Sequence, residues 1–202
     1  MSEPDRRTLI ADAAIEIVAE QGVRALTHRA VDTRLGLPTG STSFYVRTKA
    51  ALLDSTVQRL AERAREDFQD SMPERLGHSD IEPDPAAAAE VIAVVLDRVL
   101  DARRHETITR YALALEGAGG DSLRAALARS AFSLPQAVEL FRGWDVPEPE
   151  AAGADMVSLC EGLVFDRVVG IRSLEAPAAG SSESIGQLAR AIETYLRGVL
   201  AR

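Results

Sequence analysis

This sequence has few of the residues from which catalytic and metal sites are usually built. Its one cysteine, Cys160, rules out an intrachain disulfide and is what a protein of a reducing cytoplasm would carry. Glu161 stands beside it and no histidine lies near it in sequence, so a buried core thiol explains Cys160 better than a nucleophile or a redox sensor. The three histidines, His28, His78 and His105, fall in different predicted elements and show no HxxxH or HxxE spacing. GxSxG and phosphate-cradling glycine loops are absent as well. The sequence therefore offers no metal site, calls for no cofactor and argues against an enzyme. Aromatic residues make up only 4% of the chain, so Ala, Leu and Val must fill its core. No apolar run is long enough to span a bilayer. Residues 1–5, MSEPD, lead into no apolar signal segment, so we expect no membrane partner and a cytoplasmic location. Lysine is scarce too: Lys49 stands alone beside 22 arginines.

What is present is helical periodicity. The most informative stretch is residues 26–53, LTHRAVDTRLGLPTGSTSFYVRTKAALL. Thr27 suits an N-cap, and Ala30, Val31 and Leu35 fall on one face at helical spacing. Gly36 can take the left-handed conformation that ends a helix, and Pro38 suits the start of the next. The second helix, predicted over 39–46, has hydroxyls and aromatics where a core helix would show an apolar stripe. Between Arg24 and Lys49 lie Arg29, Arg34 and Arg47 but only one acid, Asp32, giving +4 on a chain whose total is −8. A basic island in an acidic protein is the electrostatic mark of a nucleic-acid face. Read from the short motif alone, an ordinary polar hairpin inside an all-α domain accounts for the pattern equally well.

A wider set of residues resembles the TetR family of bacterial transcriptional regulators. It comprises an amphipathic first helix ending at Gly22, Thr27 opening the second helix, the Gly36-Leu37 turn, and the aromatics Phe44-Tyr45. Lys49 and the Leu52-Leu53 pair then open the fourth helix. This combination is far more specific than a bare helix-turn-helix. The chain departs from the family at two places. A small residue is common in the family where this chain has Asp32, so that carboxylate must point outward or cap the next helix. Tyr is common where this chain has Ser43.

The resemblance implies an all-α fold. Residues 1–48 would form an N-terminal three-helix helix-turn-helix DNA-binding domain, and residues 49–202 a larger C-terminal helical ligand-binding and dimerisation domain. It also implies a homodimer that reads palindromic operator DNA and is released by a small-molecule effector, with repression preferred to activation. A helical small-molecule-binding or interaction protein without sequence-specific DNA binding is the alternative. The expected phosphate contacts are Thr27, Ser43, Tyr45 and Lys49. The expected base-edge contacts are Arg29, Thr39, Gly40 through its backbone, Ser41 and Phe44, the last against a thymine methyl.

The remaining periodicity predicts helices over 6–21, 49–71, 85 onward, 106–118, 123–142 with a kink at Pro135, 149–170, and a last helix with a capping box of Ser184 and Gln187. The stripe of the first is Ile10, Ala13, Ala14, Ile17 and Val18; that of the fourth is Leu53, Val57, Leu60, Ala64 and Phe68. On the helix from Pro85 we expect Ile92, Val95, Leu96, Val99 and Leu100 to face inward. The resemblance puts an effector pocket in the C-terminal domain, with Ile92, Leu96, Tyr111, Leu115, Leu127 and Phe165 as lining candidates and Arg110 or Glu116 as polar anchors. Plain core explains most of these singly. The helix over 149–170 is apolar on two sides and must be covered on two sides. A purely intrachain core could supply both covers; because the resemblance implies that the last two helices pair with those of a second copy, we expect a dimer interface of Met156, Val157, Cys160, Val164, Val168, Leu188, Ile192 and Leu196.

Overall fold

The computed structural model describes residues 5–71, 83–116, 121–128, 130 and 132–201, and all regular elements among them are helices. Residues 72–82 with His78, between the helices expected over 49–71 and from Pro85, the Phe68 side chain and the end of the helix expected over 106–118 lie outside the described residues. No described helix is long and apolar enough to cross a membrane. The chain forms two compact units, one of Met1–Asp67 with His105–Ala131, the other of Phe68–Arg104 with Phe132–Arg202.

The first unit is built on α1 (Arg6–Gln21), α2 (His28–Arg34), α3 (Ser41–Tyr45), most of α4 (Lys49–Ser71), α6 (Arg104–Leu115) and α7 (Asp121–Ala128). The predicted stripe of α1 is buried, and so are Ala11 and Ile15 on a second side. α6 is tied to α1 by Thr109, which donates its hydroxyl to the Ile15 carbonyl at 2.8 Å. Gly22, at φ +83, stops α1 where a side chain would be strained. Leu52, Val57 and Leu60 of α4 share one core with α1, Leu113, Leu123 and Leu127. This unit consequently runs past residue 48, through the buried face of α4.

The second unit contains α5 (Pro85–Asp101), α8 (Leu134–Gly143), α9 (Pro149–Val168), the short α10 (Arg172–Glu175) and α11 (Ser182–Leu200). The predicted helix over 123–142 is two helices: Pro135 sits in the first turn of α8 rather than kinking a longer one, since its missing N–H is harmless there. α5 packs along α11, and α8 along α9. On α5 the deepest residues are Ala88, Ala89, Ala93, Leu96, Asp97 and Leu100, while Ile92, Val95 and Val99 are half-buried. Small alanines at the contact let α5 approach α11 closely, so size overrides hydrophobicity in choosing the face. Gly153 does the same between α9 and α8: an added Cβ would lie 2.7 Å from a Val138 methyl and 2.9 Å from its backbone nitrogen.

Two sequence expectations change here. Met156, Cys160, Val164 and Val168 of α9, with Leu188, Ile192 and Leu196 of α11, are buried inside this unit of a single chain, and only Val157 is half-buried. The apolar stripe thus faces the chain's own helices and is not a free dimer surface. The N-cap of α11 is Ser181, which accepts from the Ser184 N–H at 3.1 Å, so the box expected at Ser184 and Gln187 does not form. Ser184 is instead buried in a polar cluster. It donates to Asp97 Oδ1 at 2.5 Å and accepts from Arg167 Nη1 at 2.6 Å. Asp97 Oδ2 takes the Gly180 N–H at 2.7 Å, and Gln187 accepts from Arg167 Nη2 at 3.3 Å.

Candidate nucleic-acid interface

Thr27 caps α2 as its sequence position predicts, accepting the Ala30 N–H at 3.1 Å. Gly36 is left-handed, at φ +64, and turns the chain toward α3. A second left-handed glycine, Gly40 at φ +96, is the N-cap of α3 and explains why that helix starts at Ser41 rather than at 39. α3 is held from its inner side. Thr42 and Val46 are buried, and the Tyr45 ring packs against the core.

Asp32 is the main polar anchor. Only 2% exposed, it accepts from the Gly40 N–H at 2.7 Å, the Thr42 N–H at 2.8 Å and the Thr42 hydroxyl at 2.6 Å. Of the two possibilities its position allows, it takes the inward one and caps the next helix. Burial by itself would raise the Asp32 carboxyl; the hydrogen bonds from Thr42 and Gly40, with the nearby His28, outweigh burial and hold it below the ordinary value. His28 donates Nε2 to the Val46 carbonyl at 2.8 Å, at the other end of α3.

The outward side of this hairpin carries much of the expected set. Arg29, Thr39, Gly40, Ser43 and Phe44 are exposed, Phe44 by 80%, and its ring stands edge-on to Tyr45 at 5.2 Å. Thr27 is exposed with its oxygen used as a cap, and Ser41 is half-buried, donating to the Pro38 carbonyl at 2.7 Å. Lys49 stands apart. Its ammonium bonds the Leu26 carbonyl and, at 3.3 Å, that of Val23, closing the 3-10 turn between α1 and α2, and partial burial lowers its pKa. The ammonium expected at a phosphate is thus bonded to the chain's own carbonyls.

Arg34 is internal to the surface in the same sense, paired with Glu16 at 3.0 Å and with Glu20 of α1. The hydrogen bond to Glu20 raises Arg34 and lowers the glutamate in turn. The cations left facing outward are Arg6, Arg7, Arg24, Arg29 and Arg47. Arg24 and Arg47 belong to the basic island but not to the expected contacts. Thr42 and His28 had no local sequence signal, since their partners lie ten and 18 residues away.

The pocket candidates divide between the two units. Arg110, Tyr111, Leu115, Glu116 and Leu127 belong to the first, and Ile92, Leu96 and Phe165 to the second. Leu127 is core, Leu96 is buried, and Leu115 is 80% exposed while Leu113 takes the inward place on α6. The Arg110 guanidinium lies over the Tyr111 ring, 4.5 Å from its centroid. Cys160 is buried, and desolvation with the neighbouring Glu161 pushes its thiol up to about 12. Among the described residues no group of histidine, cysteine and carboxylates could hold a metal ion.

Residues 83–202 match the family model for the tetracyclin repressor-like C-terminal domain. The chain belongs to the TetR family. No curated protein matches it. A transcriptional regulator from Rhodococcus sp. Rha1 superposes with a TM-score of 0.76 at 21% identity, over 98% of this chain and 97% of that one. The multidrug binding protein EbrR complexed with malachite green superposes at 0.65 and 22% identity, over 93% and 98%. A transcriptional regulator from Saccharomonospora viridis in complex with choline does so at 0.68 and 13%, over 95% of each chain. At these identities the likeness is one of fold, and it extends through the helix-turn-helix as well as the C-terminal helices.

Proposed function

We propose that this protein is a ligand-responsive transcriptional regulator, a repressor by preference, that binds palindromic operator DNA as a homodimer. The observation that carries the reading is the outward side of α3. It exposes Phe44 and Ser43, and Arg24, Arg29 and Arg47 are exposed in the same 24–47 stretch of an acidic chain. An exposed aromatic side chain suits base edges, and exposed cations in the same stretch suit phosphates. Residues 1–48 supply the reading surface, with Arg29, Thr39, Gly40 and Phe44 toward bases and Thr27, Ser43, Arg24 and Arg47 toward phosphates. Two such surfaces in a dimer would enter major grooves about one helical turn apart or more.

The family fold and the ligand-bound relatives support a small-molecule effector for the C-terminal helices. Within the first unit, α6 is tied to the helices of the reading surface. Thr109 is bonded to the Ile15 carbonyl, and Glu106 is bonded to Arg63 at 2.5 Å, which in turn meets Asp12 of α1 at 3.1 Å. An effector favouring one position of α6 would shift α1 with it. For self-association the buried stripe of α9 is already used. Exposed residues of α9 include Ser158 and Gly162.

Fluorescence anisotropy of the full chain on the intergenic DNA beside its gene, at two salt concentrations, tests the reading. Binding that exceeds random DNA and weakens steeply with salt is expected. Equal binding to all sequences, there and among genome-wide selected fragments, would favour a helical ligand-binding protein without an operator.

A further inference from the structure

A helix of five residues cannot aim itself. α3 is well short of the roughly 12–15 residues that an isolated helix needs, so its direction and roll come from what grips it. Part of the grip is apolar, through Val46 and the Tyr45 ring. Apolar burial resists separation but is non-directional, and by itself would let a short helix roll. The directional part comes from α2, which holds α3 at both ends with two side chains one turn apart on the same face. Asp32 takes the N-terminal end and His28 the C-terminal end.

We propose that Asp32, with Thr42, is a positioning residue for DNA recognition: the buried carboxylate fixes the roll of α3 and therefore which side chains meet the base edges. The proposal rests on the reading of α3 as the DNA-contacting helix. The geometry is specific. One oxygen, Oδ1, takes both the N–H and the hydroxyl of Thr42, and the other, Oδ2, takes the N–H of Gly40. The two oxygens thus grip the chain on either side of Ser41, and a roll of α3 must break one of these bonds. Asp32 is 2% and Thr42 0% exposed, so water cannot readily replace a broken bond. The pair also acts as a unit. Alanine at 32 would leave two amides and a hydroxyl without their acceptor, whereas valine at 42 would remove only the hydroxyl bond and keep both backbone ones.

The test uses the full-length protein and the variants Asp32→Ala, Asp32→Asn and Thr42→Val. Amide exchange at Gly40 and Thr42 reads the grip directly, and the ratio of affinities for selected genomic fragments and random DNA reads its consequence. In Asp32→Ala we expect fast exchange at both amides, unchanged protection in α1, and a specificity ratio reduced at least about tenfold, the worth of one good base contact. Random-DNA affinity should hold, because the arginines that face phosphates lie elsewhere. Thr42→Val should lose less of the ratio. Asp32→Asn keeps the volume but turns an NH2 toward a donor, and it should fall between the two.

An unchanged ratio in Asp32→Ala or Asp32→Asn would overturn the proposal. So would a parallel fall of specific and random-DNA binding, which marks a domain that has merely loosened. If Asp32→Ala does not fold, the Asn and Val variants decide. A wild-type protein that prefers no DNA sequence would remove the DNA reading and with it any role in recognition, while slow exchange at the two amides would still show that Asp32 holds the turn.

Discussion

Lys49 and Arg47 lie two residues apart and carry the same charge, yet the fold uses them differently. The Lys49 ammonium satisfies the Val23 and Leu26 carbonyls, whereas the Arg47 side chain faces outward. Lys49→Met should lower stability by about 1–2 kcal/mol in urea unfolding, as a charged hydrogen bond to backbone is lost, and leave the salt dependence of DNA binding alone. Arg47→Ala should leave the urea midpoint in place and reduce the salt slope by about one. A slope that falls in Lys49→Met would return Lys49 to the phosphate contacts. Sequence pattern made Lys49 visible as a marker of the family but not its partners, which precede it by more than 20 residues.

Asp32 adds a dependence on pH. Its carboxyl sits below the ordinary value of 3.8, so its stabilisation is complete above that value and is lost as pH falls through the lower folded one. The urea midpoint of the wild type should therefore exceed that of Asp32→Asn at neutral pH, with the gap closing in acid below about pH 4. A gap that stays constant would mean the charge contributes nothing. That this carboxylate had to point outward or cap the next helix was legible in the sequence; which of the two it does needed the position of Gly40 and Thr42.

Among the elements, the long helices were legible because period and caps agree. α1 matches its predicted span, and α4 and α5 start at the predicted Lys49 and Pro85. The errors occur where size or backbone conformation outranks hydrophobicity. The α5 face is chosen by alanines, α3 is shortened by the left-handed Gly40, and α11 starts at Ser182 under a cap that a Ser-rich stretch leaves ambiguous. Gly153 makes the point testable. Gly153→Ala must push α9 off the Val138 backbone, and in spite of alanine's better helix propensity it should cost about 1–3 kcal/mol, read as a lower Tm. Equal or higher stability would show that α8 yields easily at that contact.

For the whole molecule, the all-α class was legible through the family motif, whereas the apolar stripe of α9 and α11, expected at a partner, is buried within one chain. Periodicity reports that a face is buried and is silent about which chain buries it. Cys160, on that stripe, should accordingly resist thiol reagents at pH 8 in the native protein and react only when the chain is unfolded, its thiol being far from ionised. Rapid native labelling would mean that the second unit opens readily. Lys49 offers the converse opportunity. It is the one lysine side chain in the sequence, and its amine is tied to the turn between α1 and α2. An amine-reactive acylating reagent consequently has a single lysine target in the whole protein, and the rate of that acylation becomes a built-in clock for how often the amine leaves the Val23 and Leu26 carbonyls, readable by mass spectrometry without introducing a probe.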